Sequence, residues 1–115
     1  MLQFICYPKC TTCQRAQKWL DDHGVAYEFR NIKENNPKLE ELREWYRASG
    51  LPLKRFFNTS GLLYKSLDLK NKLPTMTEEQ MLSLLAGDGM LVKRPLVIGD
   101  GFVLVGFREE EYGKL

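Results

Sequence analysis

Apolar residues along this chain switch period several times, and each switch marks an element. The run LQFICY is continuously apolar apart from Gln3 and stops at Pro8, which predicts a strand buried on both faces. TTCQRAQKWLDDHG follows, with threonines able to cap a helix, apolar residues at Ala16, Trp19 and Leu20, and a stop at Gly24. A helix beginning near Cys10 is expected. VAYEFRNI then alternates Val25, Tyr27 and Phe29 with polar neighbours and reads as a second strand, so the opening unit is β-α-β.

From about residue 35 to 89 the pattern becomes helical. PKLEELREWYRASG starts on Pro37, repeats Leu39, Leu42, Trp45 and Tyr46, and ends at Gly50. FFNTSGLLYKSLDL reads as a loop followed by a short helix, and TMTEEQMLSLLAGDG as a helix opened by a capping-box pair, Thr77 and Gln80, and closed by Gly87. The tail returns to strands. PLVI and FVLVGF, separated by Gly99, Asp100 and Gly101, predict an antiparallel hairpin, and Arg108 to Tyr112 adds a closing turn of helix. The order predicts an α/β chain of thioredoxin-like fold, with a mixed four-stranded sheet and a helical insertion at about 35–89.

Length and composition fit that reading: 115 residues make a single domain, 1–115, with room for a core but not for a complete barrel. The formal charge of +2 is spread without a basic block, so no direct nucleic-acid contact is expected. No apolar run reaches membrane-spanning length, and the first residues lack the basic and apolar regions of a signal peptide. A cytoplasmic protein that does not engage membranes is expected. In a reducing compartment, closely spaced cysteines point to catalysis or metal binding.

All three cysteines fall within CYPKCTTC, residues 6–13. Read whole, the stretch is C-x3-C-x2-C, a spacing used to hold iron-sulfur clusters in radical enzymes whose barrels exceed this chain. Read from Cys10, it is C-x-x-C, the spacing of disulfide oxidoreductases and of half a zinc site. A zinc site would have to draw in His23, on the order of 15 Å from Cys13 along a helix, so no metal is expected. His23 suits the helix C-terminus instead.

Cys10 lies where the first strand meets the first helix. Unpaired amides and the helix dipole there favour a thiolate, with Lys9 adjacent and Arg15 one turn on, so Cys10 is the expected nucleophile. Cys13, in the first helical turn, is the expected resolving thiol, and a Cys10–Cys13 disulfide is predicted. Cys6, within a strand, is expected to stay reduced as a small buried hydrophobe. Arg94 and Pro95, immediately before the penultimate strand, complete the candidate site: a cis bond is compatible with Pro95, and a guanidinium can fork onto an oxyanion or carboxylate. Lys9, Thr11, Thr12, Arg94 and Pro95 are the expected substrate-binding residues, and Cys10, Cys13 and Arg94 the catalytic ones.

Three segments, YPKCTTCQRAQKWL, LPLKRFFNTSG and LVKRPLVIGDGFVLVGF, give the chain a resemblance to the arsenate reductase-like family of glutaredoxin-dependent ArsC, the regulator Spx and the YffB-type proteins. The resemblance spans nearly the whole chain. It implies a thiol-dependent reductase with no bound cofactor, using glutathione or another thiol as cosubstrate and glutaredoxin or thioredoxin as partner. The alternative it implies is a redox-sensing regulator of the Spx type that binds the C-terminal domain of the RNA polymerase α subunit. Arsenate reductases of this type surround the anion with three arginines. Arg94 matches one, whereas Asn58 and Phe107 occupy the positions of the other two, with Arg55 and Arg108 nearby. Poor arsenate turnover is therefore expected.

Overall fold

A computed structural model describes all 115 residues of the chain. Four strands form one mixed sheet: β1 (Leu2–Cys6), β2 (Tyr27–Asn31), β3 (Leu96–Gly99) and β4 (Phe102–Val105), in the spatial order β2-β1-β3-β4. β1 pairs in parallel with β2 and antiparallel with β3, and β3 and β4 form the predicted hairpin, with Gly101 at φ +81° in its turn. The two central strands are covered on both faces, in keeping with sequences that are apolar apart from Gln3.

Successive residues of β1 enter different cores. Phe4 and Cys6 face helix α1 (Thr11–Asp22), meeting Cys13, Ala16 and Leu20 of that helix together with Val97 and Tyr112. Ile5 faces the opposite way. It joins Leu96 and the helical insertion, chiefly Leu42 and Trp45 of α2 (Leu39–Ser49) and Met81, Leu82 and Leu85 of α5 (Glu78–Gly87). Phe4, Ile5, Cys6, Leu96 and Val97 are all buried.

The predicted punctuation operates locally. Gly50 closes α2 in the left-handed region, at φ +67°. Thr77 and Gln80 form the reciprocal capping box of α5, with bonds of 2.9 and 3.1 Å. The segment read as a loop and one short helix contains two, α3 (Leu62–Ser66) and α4 (Leu69–Lys72), preceded by a 3-10 turn at Leu53–Phe56. A closing turn, α6 (Glu109–Tyr112), places Tyr112 beneath α1.

The second strand is shorter than its apolar alternation suggested. It begins at Tyr27, and Phe29 remains 41% exposed although it lies beside Phe4. β2 is an edge strand, paired only to β1, so the period predicts the face correctly while burial is incomplete. No helix is long and apolar enough to cross a membrane.

Candidate active site

Cys10 is the N-cap of α1. Its backbone is extended (φ −84°, ψ 123°), its amide donates to the Tyr7 carbonyl at 3.0 Å, and its carbonyl accepts from Gln14 at 3.0 Å. The side chain makes no capping bond, which leaves the sulfur beside the first-turn amides that have no partner within the helix. Cys10 is the free, half-buried cysteine of the three.

The thiol lines a cleft of about 540 Å³. Cys10, Thr11 and Thr12 form one wall, the turn from Asn58 through Leu63 another, and Met90, Lys93 and Arg94 a third. That third wall reaches the site through a tight contact: a Cβ added to Gly89 would lie 1.8 Å from the Ile32 carbonyl oxygen, so only glycine allows the turn to abut the end of β2. The chain then runs along Phe57, where Asn58 and Lys93 amides bond to the Leu91 and Phe56 carbonyls at 2.8 Å each.

Arg94 is joined to Pro95 by a cis peptide bond, as the sequence allowed. Its guanidinium donates to the Met90 carbonyl at 3.1 Å and sits 5.6 Å from the centre of the Tyr7 ring, while its Nε is buried without a partner. These contacts hold the fork beside the cleft with donors to spare.

The expected residues divide. Cys10, Thr11, Thr12 and Arg94 converge on the cleft. Pro95 is buried behind Arg94 and acts by fixing the backbone, while Lys9 is exposed and lies outside the cleft lining. Lys93 takes the place expected of Lys9. Asn58, which the resemblance sets at the position of an anion-binding arginine, lines the cleft with Ser60, Gly61, Leu62 and Leu63, residues that no local pattern marks, and Tyr7, whose ring carries Arg94, is marked by its place between an apolar strand and the helix turn.

The thiol pairing differs from the expectation. Cys6 and Cys13 form the disulfide, with Cα atoms 5.8 Å apart, and Cys10 is unpaired. In this state Cys10 is extended at the N-cap with its side chain toward the cleft, whereas Cys13 takes the inward helical direction that brings its sulfur to Cys6. Cys13 instead begins the inward stripe Cys13, Ala16, Leu20, over the end of β1 where Cys6 points up from the sheet. Its Sγ also accepts from the Tyr7 amide at 3.4 Å. The same stripe, read at helical spacing, was the available signal.

Neither neighbouring arginine restores the family's anion cage. Arg55 is absent from the cleft lining and borders an adjoining groove with Pro52, Lys54 and Phe57 that shares Lys93 with the cleft, and Arg108 is exposed at the start of α6. Phe107 packs edge-on against Tyr112 with ring centres 4.8 Å apart and carries the Arg15 guanidinium at 5.9 Å, away from the cleft. Lys93 and Arg94 are the cations of the Cys10 cleft. His23 caps the end of α1, with Nδ1 2.8 Å from the Trp19 carbonyl oxygen and its ring stacked on Trp19.

A mixed sheet in the order β2-β1-β3-β4, with a cysteine at the start of the helix that follows β1, is the architecture of a thioredoxin-like protein. More narrowly, the chain belongs to the ArsC family, whose sequence profile matches residues 6–115. It is 56% identical to an ArsC family related protein of Bacteroides fragilis, with a TM-score of 0.97 over 98% of this chain and 95% of that one. YusI of Bacillus subtilis, itself uncharacterised, is 51% identical over 96% of this chain and 94% of its own. The global transcriptional regulator Spx of Listeria innocua is 28% identical over 90% of this chain and 78% of its own.

Proposed function

We propose that this protein is a thiol-disulfide oxidoreductase that uses a glutathione-class thiol as cosubstrate. The Cys10 thiolate attacks one sulfur of a small disulfide, forms a mixed disulfide and expels the other sulfur as thiolate, which takes up a proton. A second thiol attacks the mixed disulfide and returns Cys10 to the start. Arg94 and Lys93 orient a carboxylate of the anionic thiol, and Thr11 and Thr12 offer hydroxyls at the helix start. The observation that carries this reading is the unpaired Cys10 sulfur in a cleft with those two cations. Glutaredoxin or thioredoxin would serve as the protein reductant.

The test is reduction of a glutathione mixed disulfide coupled to glutathione turnover. Cys10→Ser should abolish it, and Arg94→Ala should lower kcat/KM on the order of ten- to a hundredfold, the loss of a charge-assisted hydrogen bond. Turnover that survives Cys10→Ser would refute the reading. Because Arg94 is the one arginine lining the Cys10 cleft, arsenate should be reduced poorly by the same protein.

The likeness to Spx supports a second reading, a redox-controlled binding module for the C-terminal domain of the RNA polymerase α subunit. Capture of that domain by reduced or oxidised protein, with no turnover of thiol substrates, would select it.

A further inference from the structure

All three thiols meet in one place. Cys6 and Cys13 are bonded within the core between β1 and α1, and Cys10 packs against that same cluster while its other side faces the cleft. Cys6 and Cys13 are only 1% and 2% exposed, so an oxidant approaching from solvent meets Cys10 first. The bonded pair nevertheless excludes the residue best placed to be oxidised.

We propose that Cys6 is the terminal thiol of a three-cysteine relay, in which an oxidising equivalent captured at Cys10 passes to Cys13 and is stored as the buried Cys6–Cys13 disulfide. The proposal rests on the reading of Cys10 as the attacking thiol and supplies the second thiol of that reaction from within the chain. A small disulfide leaves one of its halves on Cys10 and loses the other as free thiol. Cys13 then attacks the Cys10 sulfur and expels the bound half, giving Cys10–Cys13. Cys6 next attacks the Cys13 sulfur, forming Cys6–Cys13 and releasing Cys10 as a thiol. One small disulfide is reduced to two thiols, and Cys6 and Cys13 are oxidised.

The last exchange follows from position. Cys6 points up from the end of β1 toward the Cys13 stripe of α1, at a Cα separation suited to a disulfide, and both residues are already fixed by packing. Cys10 is thereby restored facing the cleft, packed against the cluster that holds the pair, so a dithiol reductant can reverse the relay through it. Tyr7 touches both centres: its amide donates to Cys13 Sγ and its ring lies under Arg94.

The test starts from fully reduced protein mixed with glutathione disulfide, quenched by alkylation at intervals and digested with trypsin without reduction. Cleavage after Lys9 and Arg15 separates Cys6 from the peptide holding Cys10 and Cys13. The expected end product is a link between the two peptides, assigned by fragmentation to Cys6 and Cys13, with Cys10 alkylated. Cys6→Ala and Cys6→Ser, each checked for folding by circular dichroism, should stop at an internal Cys10–Cys13 disulfide. Cys13→Ser should stop at glutathionylated Cys10, and Cys10→Ser should form the Cys6–Cys13 link at least about tenfold more slowly than wild type.

A wild-type end product of Cys10–Cys13 with alkylated Cys6, or an undiminished rate in Cys10→Ser, would overturn the relay. If Cys13→Ser accumulates glutathionylated Cys10 and the wild type still fails to form the Cys6 link, the relay alone fails. If Cys10 takes up no glutathione in any variant, the proposed reductase activity fails with it.

Discussion

Cys10 and Cys13 are three residues apart, yet one opens on a cleft and the other is sealed in a core. The difference is a single backbone state at the N-cap, and it makes reactivity predictable residue by residue. Iodoacetamide added to unreduced protein should label Cys10 and neither Cys6 nor Cys13, as mass spectrometry of the digest will show. Tyr112 presents the opposite situation: fully buried beneath α1, its hydroxyl has no hydrogen-bond partner. Burial, with a smaller contribution from Glu111, pushes its phenol above the usual range. Tyr112→Phe should therefore leave stability unchanged or raise it by roughly 1 kcal/mol in urea unfolding, because an unsatisfied buried group is removed and the ring kept. The pH dependence has a definite sign. A phenol whose folded pKa exceeds its unfolded value holds its proton longer in the native state, so that contribution is complete below the ordinary value of 10.0 and is lost as pH rises beyond it. The phenylalanine variant should lose less stability than wild type above that point. Tyr27 and Tyr46 shift in the same direction and will retain part of the effect.

Between elements, the most specific polar contact joins the edge strand β2 to helix α2. Arg30 forks onto Glu41 with bonds of 2.7 and 2.8 Å and also donates to the Asn35 and Asn36 carbonyls, while Glu41 accepts from the Lys38 amide at the helix start. The Arg30 bonds, chiefly, hold the Glu41 carboxyl below its ordinary range. Glu41→Gln should then destabilise the protein by roughly 1–2 kcal/mol at neutral pH. A depressed carboxylate contributes above its unfolded pKa and loses that contribution as pH falls through the folded one, so the gap to wild type should narrow in acid. Urea midpoints measured at neutral and acid pH decide it. No local pattern announces this pair, since Arg30 and Glu41 are eleven residues apart on different elements. Features set by nearby residues were legible: the buried strand before Pro8, the Thr77–Gln80 box, the hairpin around Gly101, and the helix start at Cys10. What escaped the sequence depended on three-dimensional placement. Phe29 obeys the alternation of a strand but lies at a sheet edge, Lys93 and the Ser60–Leu63 turn reach the cleft from distant segments, and the Cys13 sulfur is directed by the packing of α1 on β1. C-x-x-C spacing alone does not specify which two sulfurs meet.

Across the whole molecule the sheet separates two cores, and the cysteines occupy the smaller one. The insertion helices build the larger core on the Ile5 face, whereas the Phe4 face is covered by α1 and closed by Tyr112 from the far end of the chain. With few residues to secure it, the α1 face depends more on any covalent tie between β1 and α1. The Cys6–Cys13 bond is that tie, crossing from the central strand to the helix that presents Cys10. Redox state should thus be read out as stability of the entire domain. In the chain-entropy account a closed loop this short contributes about 2–3 kcal/mol, which for a domain of this size corresponds to a shift of roughly 10 °C in melting temperature. Scanning calorimetry of oxidised protein, and of protein reduced with a dithiol, should show that fall. Cys6→Ala should melt near the reduced wild type and respond to reductant by far less. Equal melting temperatures for oxidised and reduced wild type would mean that noncovalent packing of Cys13, Ala16 and Leu20 on the sheet already suffices to hold α1, and that the bond holds an oxidising equivalent without strengthening the fold.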